Sequence, residues 1–200
     1  MKFTWGLDNR KALTPVKTGY QDPRAHHILC DRLRDVFDSV PIGRPIIMIC
    51  IGTDRSTGDS LGPLVGTLLK KRNTKGQPIY GTLDHPVHAM NLVDTLHTIE
   101  RQHSNPFVVA IDACLGQHAS IGTIQIGHGP MKPGAGVNKD LPPVGDIHIT
   151  GIVNVGGFME FMVLQNTRLS LVMDMAETIS TSLYRSLLFR RDSGTYSALN

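Results

Sequence analysis

One stretch limits the folding options of this chain more than any other. It opens with the apolar run Pro45-Ile46-Ile47-Met48-Ile49-Cys50-Ile51 and passes into the polar loop Gly52-Thr53-Asp54-Arg55-Ser56-Thr57-Gly58-Asp59-Ser60. The run is too short to span a membrane and has the β-branched content of a strand buried on both faces. Leu61 to Lys71 then reads as a helix. Pro63 is tolerated in its first turn, and Lys70-Lys71 suit the negative end of its dipole. Strand, polar loop and helix in that order build sites at the carboxyl ends of strands in α/β proteins. Asp59 stands where the loop meets the helix.

The rest of the chain repeats this alternation. Residues 1–22, with Gly6, Pro15 and Gly19, have no clear period and read as an irregular arm. Pro23 to Val40 reads as a helix through Ile28, Leu29, Leu33, Val36 and Phe37, with Asp22 as a candidate N-cap. Pro78 to Gly81 is a short strand candidate, and Met90 to Gln102 a helix carrying Leu92, Leu96 and Ile99. Pro106 to Asp112 is an apolar strand ending on a carboxylate. Gly122 to Ile126 and Asp146 to Val153 read as further strands, separated by the Gly- and Pro-rich loop 127–143. Val155 to Leu164 reads as a short helix. Leu169 to Met175 reads as a strand on its β-rich centre, Glu177 to Arg190 as a closing helix, and residues 193–200 as a frayed tail. This order predicts one α/β domain over residues 1–200, a mainly parallel sheet covered on both faces.

Composition narrows the function classes. Twenty Lys and Arg against 17 Asp and Glu give a net charge of only +3, and the basic residues do not cluster, so a nucleic-acid partner is not expected. No apolar run approaches the ~18 residues of a membrane span, and the N-terminus has no secretory h-region, so no membrane partner is expected. Three cysteines without a Cys-x-x-Cys pair suit reduced thiols in a cytoplasmic compartment.

Asp59 and Asp112 both fall at the carboxyl ends of expected buried strands, where a doubly wound sheet gathers its site. Two carboxylates brought together divide acid and base work on a water. The structural alternative is that Asp59 caps its helix and Asp112 makes a turn hydrogen bond. At a cap the helix dipole would favour Asp59 as the ionised member. The glycine-bearing loop meets neither nucleotide fingerprint. Among nine histidines, His85, His88 and His148 are the metal candidates, with no His-Glu-x-x-His motif among them. Cys114 is either a nucleophile with a nearby histidine or a small packed residue. Ser56 and Ser60 lack a Gly-x-Ser-x-Gly context and are expected to make loop hydrogen bonds.

Three segments carry a family resemblance. Gly52 to Pro63 resembles the corresponding loop of the germination protease of spore-forming bacteria. Val108-Val109-Ala110-Ile111-Asp112-Ala113 is similar to that protease's second aspartate strand, and Pro133-Gly134-Ala135-Gly136-Val137-Asn138-Lys139 to its Pro-Gly-Ser-Gly-Val loop. With Gly151-Ile152-Val153-Asn154-Val155-Gly156-Gly157-Phe158, the whole chain most resembles the sporulation protein YyaC group.

The resemblance implies a three-layer α/β/α sandwich shared with hydrogenase maturation endopeptidases. It implies an aspartate-type peptidase without a cofactor, with Asp59 and Asp112 as the catalytic pair. Asp54, Arg55 and Asn154 are the implied substrate contacts, Arg55 orienting substrate or an oxyanion. It further implies a protein or peptide substrate, with small acid-soluble spore proteins as the candidate class, and a forespore location. Two alternatives stay open: a non-enzymatic sporulation protein binding a peptide in the cleft, and a nickel-dependent maturation-type endopeptidase. In the latter a histidine precedes a Gly-Phe helix start. Here Gly157-Phe158 places Asn154 there, and Asn is a poor nickel ligand beside imidazole.

Overall fold

A computed structural model describes residues 14–72, 74, 76–133 and 141–196. Six strands form one mixed sheet in the order β1-β5-β6-β4-β2-β3. These are β1 Val16–Gly19, β2 Ile46–Cys50, β3 Ile79–Tyr80, β4 Phe107–Gly116, β5 Thr123–His128 and β6 Ile147–Val155. β6, β4, β2 and β3 run parallel, while β5 pairs antiparallel with β6 and with β1. The helices are α1 Ala25–Asp38, α2 Leu61–Lys71, α3 Leu92–Gln102, α4 Glu160–Gln165 and α5 Leu169–Tyr196.

The period of two in the central strands sorts their side chains into two cores. Ile46, Met48 and Cys50 of β2 and Phe107, Val109 and Ile111 of β4 face α1, α2 and α5. Ile47, Ile49 and Ile51 and Val108 and Ala110 face α3 through Leu92, Leu96 and Ile99. All five residues of β2 are buried, as a strand covered on both faces requires. Burying each such aliphatic side chain stabilises by about 1.5–3 kcal/mol. The result is the expected three-layer α/β/α arrangement. At the sheet end away from the polar loop, Asp146 Oδ2 accepts the Val108 N–H at 2.7 Å and Arg44 lies 3.4 Å from Asp146 Oδ1. That contact ties the start of β4 to the start of β6.

Several expectations are corrected. Residues 16–19 are not part of an irregular arm: β1 adds to the sheet edge with Val16 opposite Ile126 and Gly19 opposite Thr123. A four-residue strand has too little pattern of its own, and its partner lies far along the chain. Asp22 does not occupy the N-cap of α1, which is Arg24; its carboxylate instead accepts the Arg24 N–H at 2.8 Å. Leu169 to Met175 is not a strand but the beginning of α5, which extends through Tyr196 and so also takes in residues 193–196 of the expected tail. Val172, Met175, Ala176, Ile179, Leu183 and Leu187 lie at helical spacing and are buried in the core shared with α1 and α2. Residues 1–13 and 197–200 of the expected arm and tail, and Gly134 to Lys139 of the protease-like loop, lie outside the described residues.

The strand with Asp112 also does not end on that carboxylate. β4 continues to Gly116, four residues beyond it, because β6 is long enough to pair with the extension. Asp112 pairs with Thr150, just past the point where β2 stops pairing with β4 at Cys50–Ile111.

Candidate active-site cavity

The polar loop is held by its backbone before any side chain acts. The Gly52 N–H donates to the Val87 carbonyl at 2.8 Å, and the Thr53 N–H to the Asp59 carbonyl at 3.1 Å. Gly52 has φ of +140°, and a Cβ on it would overlap the Asp59 carbonyl oxygen, so only glycine fits. Gly62, the second residue of α2, packs so closely on the Ile51 backbone that a Cβ there would collide with it. The loop thus closes on itself, with Asp59 in a single 3-10 turn, Gly58–Ser60, ahead of α2. Asp59 is not the N-cap of α2. Ser60 is, and no side chain caps there; the Ser60 hydroxyl donates to the Thr57 carbonyl at 2.6 Å.

This loop, the loop before α3, the distal half of β4 and α4 surround one cavity of about 480 Å³. Asp59 and Asp112 both line it, as do Arg55, Ser56 and His88. Asp112 is 3% exposed, on the α3 face of β4 by the alternation that buries Val108 and Ala110. Its Oδ1 accepts the Ala113 N–H at 2.8 Å, which fixes the carboxyl group. A register shift between Cys114 and Leu115 follows, and a bulge of this kind re-aims side chains beside a site.

The electrostatics of Asp59 differ from the cap expectation. Burial pushes its carboxyl group above the usual range, opposed in part by the Thr53 backbone N–H and by the charge of His88. It therefore holds its proton to higher pH than an ordinary aspartate. His88 comes from the loop before α3, where its N–H donates to Asn91 Oδ1 at 2.8 Å. Its Nδ1 takes the Met90 N–H at 3.2 Å, which leaves Nε2 as the other polar atom of the ring.

The family described as "Protein of unknown function (DUF1256)" matches residues 17–182. The chain belongs to this family. The protein YyaC of Bacillus subtilis (strain 168), described as uncharacterized, is 62% identical over 141 residues, covering 70% of this chain and 69% of that protein. The likeness to the YyaC group is thereby borne out. Among solved structures, the [NiFe] hydrogenase maturation protease HycI from Thermococcus kodakarensis KOD1 is similar, with a TM-score of 0.51 at 19% identity. The match covers 78% of this chain and 99% of that one. The likeness is one of fold, the fold expected to be shared with hydrogenase maturation endopeptidases.

Within this DUF1256 chain the other candidates separate. Arg55 lines the cavity, its backbone N–H drawn to Thr53 Oγ1 at 3.3 Å. Asp54 is exposed, outside the lining, and contacts Thr53 Oγ1 at 3.5 Å. Asn154 is also absent from the lining. Its amide donates to the Val163 carbonyl at 3.3 Å and to Thr167 Oγ1 at 3.2 Å, and its Oδ1 accepts the Val155 N–H at 2.9 Å. These contacts hold α4 against β6.

The metal candidates do not converge. His85 borders a neighbouring cavity shared with His88, and His148 Nδ1 is directed to the Gly129 carbonyl at 2.9 Å. Among the described residues, no group of three or more His, Cys, Asp or Glu is placed to hold a metal ion. Cys114 does line the cavity, but burial, opposed by a Thr150 hydrogen bond, pushes its thiol up to about 11. It stands there as a neutral thiol, since the nucleophile is the thiolate. No described helix is long and apolar enough to cross a membrane.

Two features escaped the sequence reading. Ser56 makes none of the expected loop hydrogen bonds: it is 7% exposed and its Oγ has no partner. The short helix expected over Val155 to Leu164 is Glu160–Gln165, with Val155 the end of β6, and its Phe161 and Met162, like Phe158 before it, are exposed, with Phe161 in the cavity lining. Six residues of helix rich in Phe and Met with little polar face were the signal.

Proposed function

We propose that this protein is an endopeptidase that hydrolyses a peptide bond with Asp59, Asp112 and an activated water. The observation that carries the proposal is that both carboxylates line one cavity beyond the carboxyl end of β2, Asp59 from the loop that follows it and Asp112 from the part of β4 that runs past it. That arrangement supports a division of labour set by environment.

Asp112 takes the base role. It accepts a proton from the water whose oxygen attacks the peptide carbonyl carbon. Asp59, whose burial favours its protonated form, donates its proton to the leaving nitrogen as the C–N bond breaks. Products are a carboxylic acid and an amine. The proton gained by Asp112 returns to Asp59 through solvent, and the pair titrates as a unit. Arg55, on the cavity wall, orients substrate. Asp54, exposed beside Arg55, and Asn154, through its hold on α4, act on substrate at one remove. The family likeness points to small acid-soluble spore proteins of the forespore as the substrate class.

A second reading is binding of a peptide without hydrolysis. It is favoured by the exposed Phe158, Phe161 and Met162 at the cavity margin. Incubating the purified protein with an extract of small acid-soluble spore proteins, and mapping new N-termini by mass spectrometry, separates the two. New termini at defined bonds support the peptidase. Retention of intact chains without new termini supports the binder.

A further inference from the structure

The wall of the cavity that holds Asp59 and Asp112 is largely apolar, with Leu115 from β4, Leu141, Leu164 and Phe161 from α4, and Met90 from the loop before α3. Phe161 and Met90 belong to that wall and yet are 61% and 73% exposed, so they stand at its mouth. None of the six residues of α4 is buried, and Phe158 and Met159 just before it are exposed as well. Met159 has φ of +49°, a left-handed conformation that a long side chain rarely adopts. The helix is held from its other side. A Cβ on Gly58 would lie 2.9 Å from Leu164 Cδ2 and 2.8 Å from Thr167 Oγ1, and Asn154 donates to the Val163 carbonyl and to Thr167 Oγ1. Gly58 shares a 3-10 turn with Asp59, so the contact that seats α4 also fixes its position relative to the acid. Leu164 and Phe161, three residues apart, lie on one face of the helix. Phe161 is thus common to the exposed apolar surface and to the cavity. An occupant of that surface also fills the cavity mouth, and it must bring apolar area to α4 and an amide to the carboxylates. A peptide with a bulky apolar side chain does both.

We infer that Phe161, Leu164 and Met90 form a subsite for a bulky apolar side chain of the substrate (Leu, Ile, Met or Phe), with Phe161 as its specificity-determining residue. The subsite rests on the peptidase reading, which puts a peptide in the cavity, and it names the substrate class: chains that carry such a residue within a few positions of the bond cleaved. Large apolar groups left in water beside a cavity mark binding sites in soluble proteins, and here they gain burial only when the substrate arrives. A hydrophobic pocket of this kind discriminates by about tenfold or more between a bulky apolar side chain and a methyl group.

The test uses fluorescein-labelled synthetic peptides of one polar sequence whose central residue is Phe, Leu, Met, Ala or Lys. Their binding is measured by fluorescence anisotropy and their cleavage by mass spectrometry. The proteins are wild type, Phe161→Ala, Phe161→Leu and, as a control at an exposed apolar residue outside the cavity lining, Ile42→Ser. Thermal unfolding and light scattering accompany each. Wild type and Ile42→Ser should bind the Phe, Leu and Met peptides about tenfold or more tightly than the Ala and Lys peptides. Phe161→Ala should lose most of that preference at unchanged stability, and Phe161→Leu should restore it. Wild type that binds all five peptides equally, or none, overturns the inference, and so does Phe161→Ala with the wild-type preference. A change of oligomeric state in Phe161→Ala without a change in peptide preference also overturns it and assigns the surface to a second copy of the chain. Cleavage tests the peptidase reading separately. Selective binding with no cleavage removes that reading and keeps the subsite, whereas cleavage without selectivity keeps the reading and removes the subsite.

Discussion

Gly52 and Asp59 are in direct backbone contact: the Asp59 carbonyl oxygen occupies the space where a Gly52 Cβ would stand, and the Thr53 N–H donates to that same oxygen. The geometry of the acid therefore depends on a residue without a side chain. Gly52→Ala is expected to destabilise by about 1–3 kcal/mol or more, from strain at positive φ and displacement of the loop. Hydrolysis should fall further than stability, because Asp59 moves. Urea unfolding and rates on the same preparation check both, and an unstrained, active Gly52→Ala would contradict the loop description.

Asp59 also links stability to pH. Its folded-state carboxyl group is raised by burial, so the folded protein favours the protonated form. That contribution is fully present below the ordinary aspartate range and is lost as pH rises through the raised value. Asp59→Asn removes the cost of burying the charge. It should be more stable than wild type at neutral pH, with the gap closing on acidification, while hydrolysis is abolished. Thermal melts from acid to neutral pH measure this, and a neutral-pH loss of stability would count against it.

The pH dependence of hydrolysis should carry the mark of His88. If Asp59 gives up the proton, kcat/KM falls on the alkaline side through the raised Asp59 value. The charge of His88 pulls that value down. His88→Asn removes the ring whose positive charge, when it is protonated, pulls the Asp59 value down, so the alkaline limb should move to higher pH. A limb that moves down, or stays in place, would separate His88 from Asp59.

Cys114 offers a chemical check. With its thiol pushed up to about 11 and Cys30 and Cys50 buried, the native protein should resist alkylation at neutral pH. Iodoacetamide labelling read by mass spectrometry should find Cys114 reacting far more slowly than after unfolding. Rapid native labelling would point to a thiolate in the cavity.

What the sequence revealed follows from how local each signal is. β2, its loop and α2 were legible because an apolar run, a glycine-rich polar segment and a helical period adjoin, and α2 has the expected bounds. The start of α5 was misread because Leu169, Leu171 and Met173 satisfy a period of two over seven residues. The helical face shows only when Val172 is followed to Leu187, where packing on α1 and α2 decides the outcome. β1 depends on a strand more than a hundred positions away. At the site, the family likeness marked Asp59 and Asp112, but the spacing gave no hint that Asn154 would turn to Val163 and Thr167. An unpartnered hydroxyl such as Ser56 has no sequence signature, since what distinguishes it is the absence of a neighbour.

The proposed peptidase rests on two carboxylates that line one cavity, Asp59 and Asp112. The most direct measurement is the cleavage rate of wild type against Asp59→Asn and Asp112→Asn, each confirmed as folded by thermal unfolding. The account predicts defined cleavage by wild type and, for each variant, a loss of at least about 10²-fold, the scale of general acid–base catalysis. Folded variants that cleave at the wild-type rate would contradict it.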